Sequence, residues 1–338
     1  MKIITVENRE KWDKFITSHK EANFLQSWDF YEFHKSRVKK IVRRALVDDK
    51  KIVAAYAGVV ETAKRGTYLA IAGGPIMDFD NKELVKEIFD DIKKMGEENK
   101  CVFVRIRPQL LLSDKSINLM RELGLKKAPM YLSVEYAGIL DLGESEEEIL
   151  AGASQGFRRK LRKAEKAEIE ITASDDEKAI EEFCKLEKKH AERQKYVAFS
   201  GDFLKKQFEA FKENGEVLIY TAKKDGEILA QNFMVFYGPE ASYHYGVSSE
   251  LGTKYSAAPL LHMAAMDEAR KRGCIRYNLW GIVGPEETSH RFYGVSEFKR
   301  SFGCEELKYT PAHDMILNPL KYQINKVIET ARKKIRHV

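Results

Sequence analysis

The sequence predicts an α/β protein made of two tandem copies of one unit, and two observations carry that expectation. The first is an internal repeat. A block running RALVDDKKIVAAYAGVV, YLAIAGG, NKELVKEIFDDIKKMGEENK and CVFVRI returns as VLIYTAKKDGEILAQNFMVF, SYHYGVSS, YSAAPLLHMAAMDEARKRG and CIRYNL. The second is a constant offset, since Cys101 and Cys274, like Gly73 and Gly246, lie 173 positions apart. Each block reads as a hairpin with a charged turn, a strand running to a glycine, an amphipathic helix and a closing strand. Apolar spacing switches between the strand and helix periods in the same order both times.

The elements follow in order. The opening MKIITVENREKWDKF is charged from its start, unlike a secretory leader, so a cytoplasmic chain is expected. After the first block, LDLGESEEEILAGASQGFRRKLRKAEK marks a boundary near residue 150, with units expected over 1–150 and 151–314. There Ser145 and Glu148 have capping-box spacing, and Glu146 and Glu147 suit the positive end of a helix dipole. After the second block, Pro311 and Pro319 lead into PLKYQINKVIETARKKIRHV. In this last helix Tyr322, Ile324, Val327, Ile328 and Ile335 supply an apolar side, Arg332, Lys333, Lys334 and Arg336 crowd the end, and residues 315–338 are expected to pack on the first unit.

Composition narrows the class. With 338 residues, 43% hydrophobic and 33% charged, the chain can bury a substantial core and is neither disordered nor collagen-like. No run approaches the roughly 20 apolar residues that span a bilayer. Cys101, Cys184, Cys274 and Cys304 form no CxxC or Cys/His spacing, which points to a reduced compartment and no metal site. Net charge is +6, and the cations are clustered. Arg158, Arg159, Lys160, Arg162, Lys163 and Lys166 crowd one helix, with Arg159, Arg162, Lys163 and Lys166 sharing a face. Such a stripe suits nucleic-acid phosphate, although a solvated charge run reads the same way.

Hairpin, helix and strand in that order are similar to the GNAT-type acyltransferase core, so the expected architecture is two tandem GNAT-like domains. More specific strings occur together. FLQSWDFYEFHKS, YLAIAGGPIMD, FVRIRP, FRRKLRKAEKAEIEI, NLWGI and EFKRSFG resemble, in order, the motifs of the FemABX family over about residues 20 to 330. Departures are Arg107 where an acidic residue often precedes the Pro, Asn278 for an Asp, Lys160 for an Asn, and His34 about where a Lys is frequent. The roughly 25 residues between His190 and Val217 are too few for the long helical arm of some members, so the chain resembles the compact, armless kind.

The resemblance implies an aminoacyltransferase that joins an amino acid, carried as an ester on tRNA, to an amine of a peptidoglycan precursor. No cofactor is implied. The implied partners are aminoacyl-tRNA and either UDP-MurNAc-pentapeptide or a lipid-linked precursor. A monomer, with peripheral contact with the membrane surface, is a further expectation. The reaction needs no Ser or Cys nucleophile, because the ester is activated and the amine attacks; it needs positioning and an oxyanion stabiliser. By resemblance Lys299, after Phe298, is the candidate catalyst as an exposed cleft ammonium, with Phe298 placed at the tRNA end. Arg159, Arg162, Lys163 and Lys166 are the tRNA candidates. His34, Lys35, Arg193, Tyr243 and Tyr245 are the acceptor candidates, the two tyrosines facing one side of a strand.

Each has a plainer alternative: a solvated lysine at 299, an aromatic core stripe at 243 and 245, a helix-end cation at 193, and a solvated helix face at 34 and 35. Two other functions stay open. A CoA-dependent N-acyltransferase would need a Gly-rich pyrophosphate loop, and SSELGTKYSAAPLL lacks the second Gly and the spacing. A non-catalytic basic RNA-binding protein would not need Lys299.

Overall fold

The protein forms two units in a computed structural model that describes residues 1–64, 66–194 and 196–336, with side chains to residue 332. The first unit comprises Met1–Tyr136, Val283–Arg291 and Leu307–Val338, and the second Ala137–Ile282 and Phe292–Glu306.

The chain begins with β1 (Lys2–Thr5), α1 (Arg9–Thr17), α2 (Trp28–Ser36), β2 (Lys40–Asp48), β3 (Lys51–Ala63), β4 (Gly66–Ala72), β5 (Ile76–Met77), α3 (Lys82–Glu98), β6 (Cys101–Arg107), α4 (Asp114–Glu122) and β7 (Lys126–Lys127). It continues with β8 (Tyr136–Asp141), α5 (Glu146–Gly152), α6 (Gln155–Glu165), β9 (Glu170–Ser174), α7 (Glu177–Gln194), α8 (Gly201–Lys212), β10 (Val217–Lys224), β11 (Glu227–Tyr237) and β12 (Glu240–Ser248). Then come α9 (Glu250–Tyr255), α10 (Ala258–Lys271), β13 (Arg276–Gly281), α11 (Tyr293–Arg300), β14 (Glu305–Lys308), β15 (His313–Ile316) and α12 (Pro319–Arg336). One sheet has the order β1-β2-β3-β4-β6-β15-β7, with β5 on β3, and the other the order β14-β8-β13-β12-β11-β10-β9.

Local chemistry explains the repeated plan. Both hairpins turn on two residues with positive φ, Asp49 and Lys50 in the first and Asp225 and Gly226 in the second, which matches the twist of the flanking strands. In α3, the Asn81 side chain caps the first turn, and Leu84, Val85, Ile88, Ile92 and Met95 bury one face. In the second unit α10 buries Leu261, Met266 and Ala269 in a core with Phe157 and Leu161 of α6. Phe233 of β11 meets Phe183 of α7 and Phe208 of α8 on the opposite side of that sheet. The Ser145–Glu148 capping box closes the start of α5. Among the described residues no long helical arm interrupts the stretch between α7 and β10, which holds α8 alone.

Three sequence expectations need correction. The second unit starts at Ala137, not near residue 150, because β8 forms an antiparallel ladder with β13 and so belongs to the second sheet; the stretches Val283–Arg291 and Leu307 onward fall in the first unit. Cys101 opens β6, whereas Cys274 lies just before β13 and outside it. The third concerns α12. Its inward residues are Tyr322, Asn325 and Glu329, while Ile324 and Val327 are exposed.

The cause is a charge on the sheet. Buried Arg105 of β6 forks onto Asp314 of β15, with both N···O distances 2.8 Å. It also donates to Glu329 of α12 at 2.8 Å, and Tyr322 Oη donates to Asp314 at 2.9 Å. Burying an ion pair is favourable only when the groups around it are hydrogen-bonded, so the helix turns Tyr322 and Glu329 inward to complete the set around Arg105 and Asp314. Tyr322 also packs edge-on to Phe103. The side chains of Lys333, Lys334, Ile335 and Arg336 lie outside the described residues. No described helix is long and apolar enough to cross a membrane.

Candidate active site

In each unit one pair of parallel strands sits at the centre of the sheet, and the two pairs differ. β4 and β6 pair from Thr67–Cys101 to Ala72–Arg107, with one register shift at the start and a constant register from Tyr68–Phe103 onward. β12 and β13 pair only over Glu240–Ser242 with Arg276–Asn278, although both strands continue. Two backbone irregularities end the pairing. Phe233 of β11 faces Tyr245 and Met234 faces Tyr243, so His244 is the extra residue of a bulge in β12. The register of β13 against β8 also shifts between Asn278 and Gly281, where Trp280 has φ of +64°.

Asn278 fixes that second irregularity. Its Oδ1 accepts from Trp280 N at 2.7 Å, and its Nδ2 donates to Glu240 Oε1 at 3.1 Å. An Asp here would set one carboxylate against another, because Glu240 is buried and already paired with Arg276 at 2.7 Å. The departure from the family pattern at 278 therefore has a local cause.

The bulge overturns the expectation that Tyr243 and Tyr245 share a side. Cross-strand partners lie on one face of a sheet, and consecutive Phe233 and Met234 point to opposite faces. Tyr243 lies with Met234 against the α10 core, its ring 4.5 Å from His262. Gly246 serves this placement, since a Cβ there would collide with the Tyr243 side chain. Tyr245 lies on the α7–α8 side. Its hydroxyl donates to Gln207 of α8 at 3.2 Å, and Gln207 Nε2 lies 3.0 Å from His244 Nε2. The edge of Trp280 meets His244 at 5.3 Å between ring centroids.

Lys299 reaches this place from α11. Its Nζ donates to the Gly281 carbonyl at the end of β13, at 2.8 Å, and lies 5.6 Å from the centroid of the Tyr243 ring. The expected exposed ammonium is not found: the residue is only 6% exposed, and burial pushes its pKa down to about 7. A lysine in this state exchanges its proton near neutrality, and is suited to proton transfer as well as to holding charge. Beside it, His262 of α10 is fully buried, with Nδ1 2.8 Å from Tyr277 Oη and, among the described residues, no partner on Nε2. Burial, and next the charge of Lys299, push the His262 pKa down to about 3, so its ring is neutral. Phe298 packs at 5.6 Å from His262 and 5.2 Å from Phe302, at the edge of this core.

The structure thus gathers Lys299, Tyr243 and Phe298 around His262. It sets the other candidates apart. Arg193, at the end of α7, donates from Nη2 to Ser248 O at 2.5 Å, beside His190 Nδ1 at 3.0 Å, tying α7 to the end of β12. His34 and Lys35 belong to the first unit. His34 is wedged against Phe30 and Phe33, and burial, then Arg37 and Lys39, push its pKa down to about 3. It is a neutral ring, not the cation expected for an anionic acceptor. Lys35 is exposed and pairs with Glu32 at 3.4 Å.

On α6, Phe157, Leu161 and Ala164 face the core while Arg159, Lys160, Arg162, Lys163 and Lys166 are exposed. Lys163 Nζ donates to the Lys254 carbonyl at 2.6 Å, and Arg158 donates to the carbonyls of Leu150, Ala151 and Ala153 at the end of α5. The stretch after β12 is the helix α9, not a Gly-rich loop, and Gly252 is needed there because a Cβ would strike the Leu229 carbonyl.

Sequence reading missed His262, Gln207, His244 and Trp280. His262 sits on the apolar face of a helix, where its spacing alone marks a core residue. The Phe-Lys pair at 298–299, already singled out, was the only thread leading to it.

Comparison with known proteins agrees with the fold. A crystal structure of FemX superposes with a TM-score of 0.87 at 19% identity, covering 96% of this chain and 100% of that one. A tandem GNAT protein from the clavulanic acid biosynthesis pathway gives 0.57 at 9% identity, covering 93% and 98%. Among curated proteins, the lipid II:glycine glycyltransferase of Staphylococcus aureus is 20% identical over 96% of this chain and 95% of that protein. The FemAB family model matches residues 8–225 and 216–330. These two matches run across nearly the whole chain, and the protein belongs to the FemAB family.

Proposed function

We propose that this FemAB-family aminoacyltransferase transfers an amino acid from aminoacyl-tRNA to an amine of a peptidoglycan precursor stem peptide, with the chemistry at the opening between β12 and β13. The observation that carries the reading is Lys299, buried on the Gly281 carbonyl with its pKa at about 7. The similarity to a protein named for glycyl transfer to lipid II supports the acceptor class.

The steps need only this chain's groups. Neutral Lys299 accepts a proton from the attacking ammonium. The freed amine adds to the ester carbonyl, and the resulting Lys299 ammonium stabilises the tetrahedral oxyanion. Collapse forms the amide and breaks the ester bond, Lys299 returns its proton to the departing tRNA ribose oxygen, and the remaining surplus proton on the new amide nitrogen passes to water. Tyr243 lies beneath the lysine, while His262 and Phe298 pack beside it and limit water. Arg159, Arg162, Lys163 and Lys166 hold the tRNA phosphates; Tyr245 and Arg193 serve the acceptor.

The test is direct. The protein is incubated with charged total tRNA and UDP-MurNAc-pentapeptide, then with the lipid-linked precursor, and products are weighed by mass spectrometry. A precursor heavier by one aminoacyl residue, dependent on intact charged tRNA, is expected. An unmodified precursor in both reactions would refute the proposal.

A further inference from the structure

The last helix is turned inside out. Leu320, Ile324 and Val327 are 84%, 59% and 67% exposed, and with exposed Ala331 they recur at i, i+4, i+7 and i+11, a single stripe. The stripe lies opposite the buried Tyr322, Asn325 and Glu329. Exposed Lys321 and Arg332 flank it on one side and exposed Lys326 on the other, and none of these cations has an acidic partner among the described residues. The Arg105–Glu329 bond fixes which face points outward.

A second basic and apolar feature lies at the same end of this sheet. Asn318, just before α12, donates from its backbone to Val102 O at 2.9 Å, two residues beyond Lys100. Lys100 lines a groove of about 520 Å³ with Arg37, Val38, Lys39 and Lys40, where Val38 is 94% exposed.

We propose that the outward face of α12 lies on an anionic phospholipid surface, with Leu320, Ile324 and Val327 in the interfacial layer and Lys321, Lys326 and Arg332 on the lipid phosphates. An apolar stripe bordered by cations on both sides is what lets a helix rest in the plane of such a surface. A protein groove would leave the flanking cations without the sheet of negative charge that the bilayer supplies. The inference does not depend on the reaction proposed above.

The experiment is co-sedimentation of the full chain with phosphatidylcholine vesicles containing about 30 mol% phosphatidylglycerol, against phosphatidylcholine alone, at about 0.1 M salt. The wild type is expected to bind the anionic vesicles at least about tenfold more tightly. Ile324→Glu with Val327→Glu, and separately Lys321→Glu with Lys326→Glu and Arg332→Glu, are each expected to lose about tenfold or more of that binding. Melting temperature should not change, since these side chains are exposed. Equal binding to both vesicle types, or full binding by either variant, would overturn the proposal. So would a dimer that Ile324→Glu with Val327→Glu dissociates while vesicle binding is absent, because the occupant would then be a second copy. Transfer onto the soluble precursor, measured on the same variants, keeps a failure of this surface distinct from a failure of the reaction.

Discussion

The two copies of the repeat differ most at their central parallel pair. In the first unit β4 and β6 stay paired through Ala72 and Arg107, and Gly73 N donates to Arg107 O at 2.9 Å. Gln26, fully buried, braces this closure: its Nε2 donates to Ala72 O at 2.7 Å and Ala57 O at 3.2 Å, and its Oε1 accepts from Ala57 N at 2.8 Å. In the second unit the bulge at His244 and the left-handed Trp280 end the pairing after three residues of each strand. One copy is held shut by a side chain satisfying backbone groups. The other is held open by backbone irregularities, with a proton-exchanging lysine at its end. On the proposed function, one copy serves as scaffold and the other holds the site.

The largest effect is expected on α6, the basic helix of the open copy. Arg159→Glu, Arg162→Glu and Lys166→Glu together should weaken tRNA binding by about a hundredfold or more at low salt and reduce the log–log salt slope by about three. Lys163→Glu should add less than each of these, because Lys163 is held by the Lys254 carbonyl. Filter binding across a salt series reads both, and an unchanged slope would remove α6 from the tRNA surface.

The brace of the closed copy comes next. Gln26→Ala strands buried carbonyls and the Ala57 amide, so a loss of roughly 2–3 kcal/mol in unfolding free energy is expected, by denaturant titration. Turnover per folded molecule should hold. Lost turnover with unchanged stability would mean that the first unit also works in the chemistry.

The smallest effect has an unusual sign. Lys299 titrates at about 7 in the folded chain against an ordinary 10.5. Between these values the unfolded chain holds a proton that the folded chain lacks, so stability rises with pH across this window and the burial cost is fully felt below about 7. Lys299→Met should therefore raise the melting temperature by a few degrees near neutral pH, with the gain fading as pH approaches 10.5. A lower melting temperature at pH 7 would show that the lysine stabilises the fold.

Much of this was legible in the residues. The repeat, the charged two-residue turns and the amphipathic α3 and α10 follow from periodicity and turn chemistry, which are local. The opposite faces of Tyr243 and Tyr245 were not legible, because one bulged residue reverses strand alternation and no residue type announces it. The burial of Lys299 depends on α11 closing over the end of β13, a contact the sequence does not encode near position 299. The last helix misleads for a third reason: its apolar stripe reads as an inward face until Arg105, more than 200 positions away, claims Glu329.

Turnover of Lys299→Met with charged tRNA and UDP-MurNAc-pentapeptide or the lipid-linked precursor, beside its melting curve and a pH profile of the wild type, tests the open copy most directly. A folded variant slowed by about a hundredfold or more is expected, with wild-type kcat/KM rising with pH and levelling above about 7 as the lysine becomes a base. Near-normal turnover by the variant would contradict the assignment of the reaction to Lys299 and to the opening between β12 and β13.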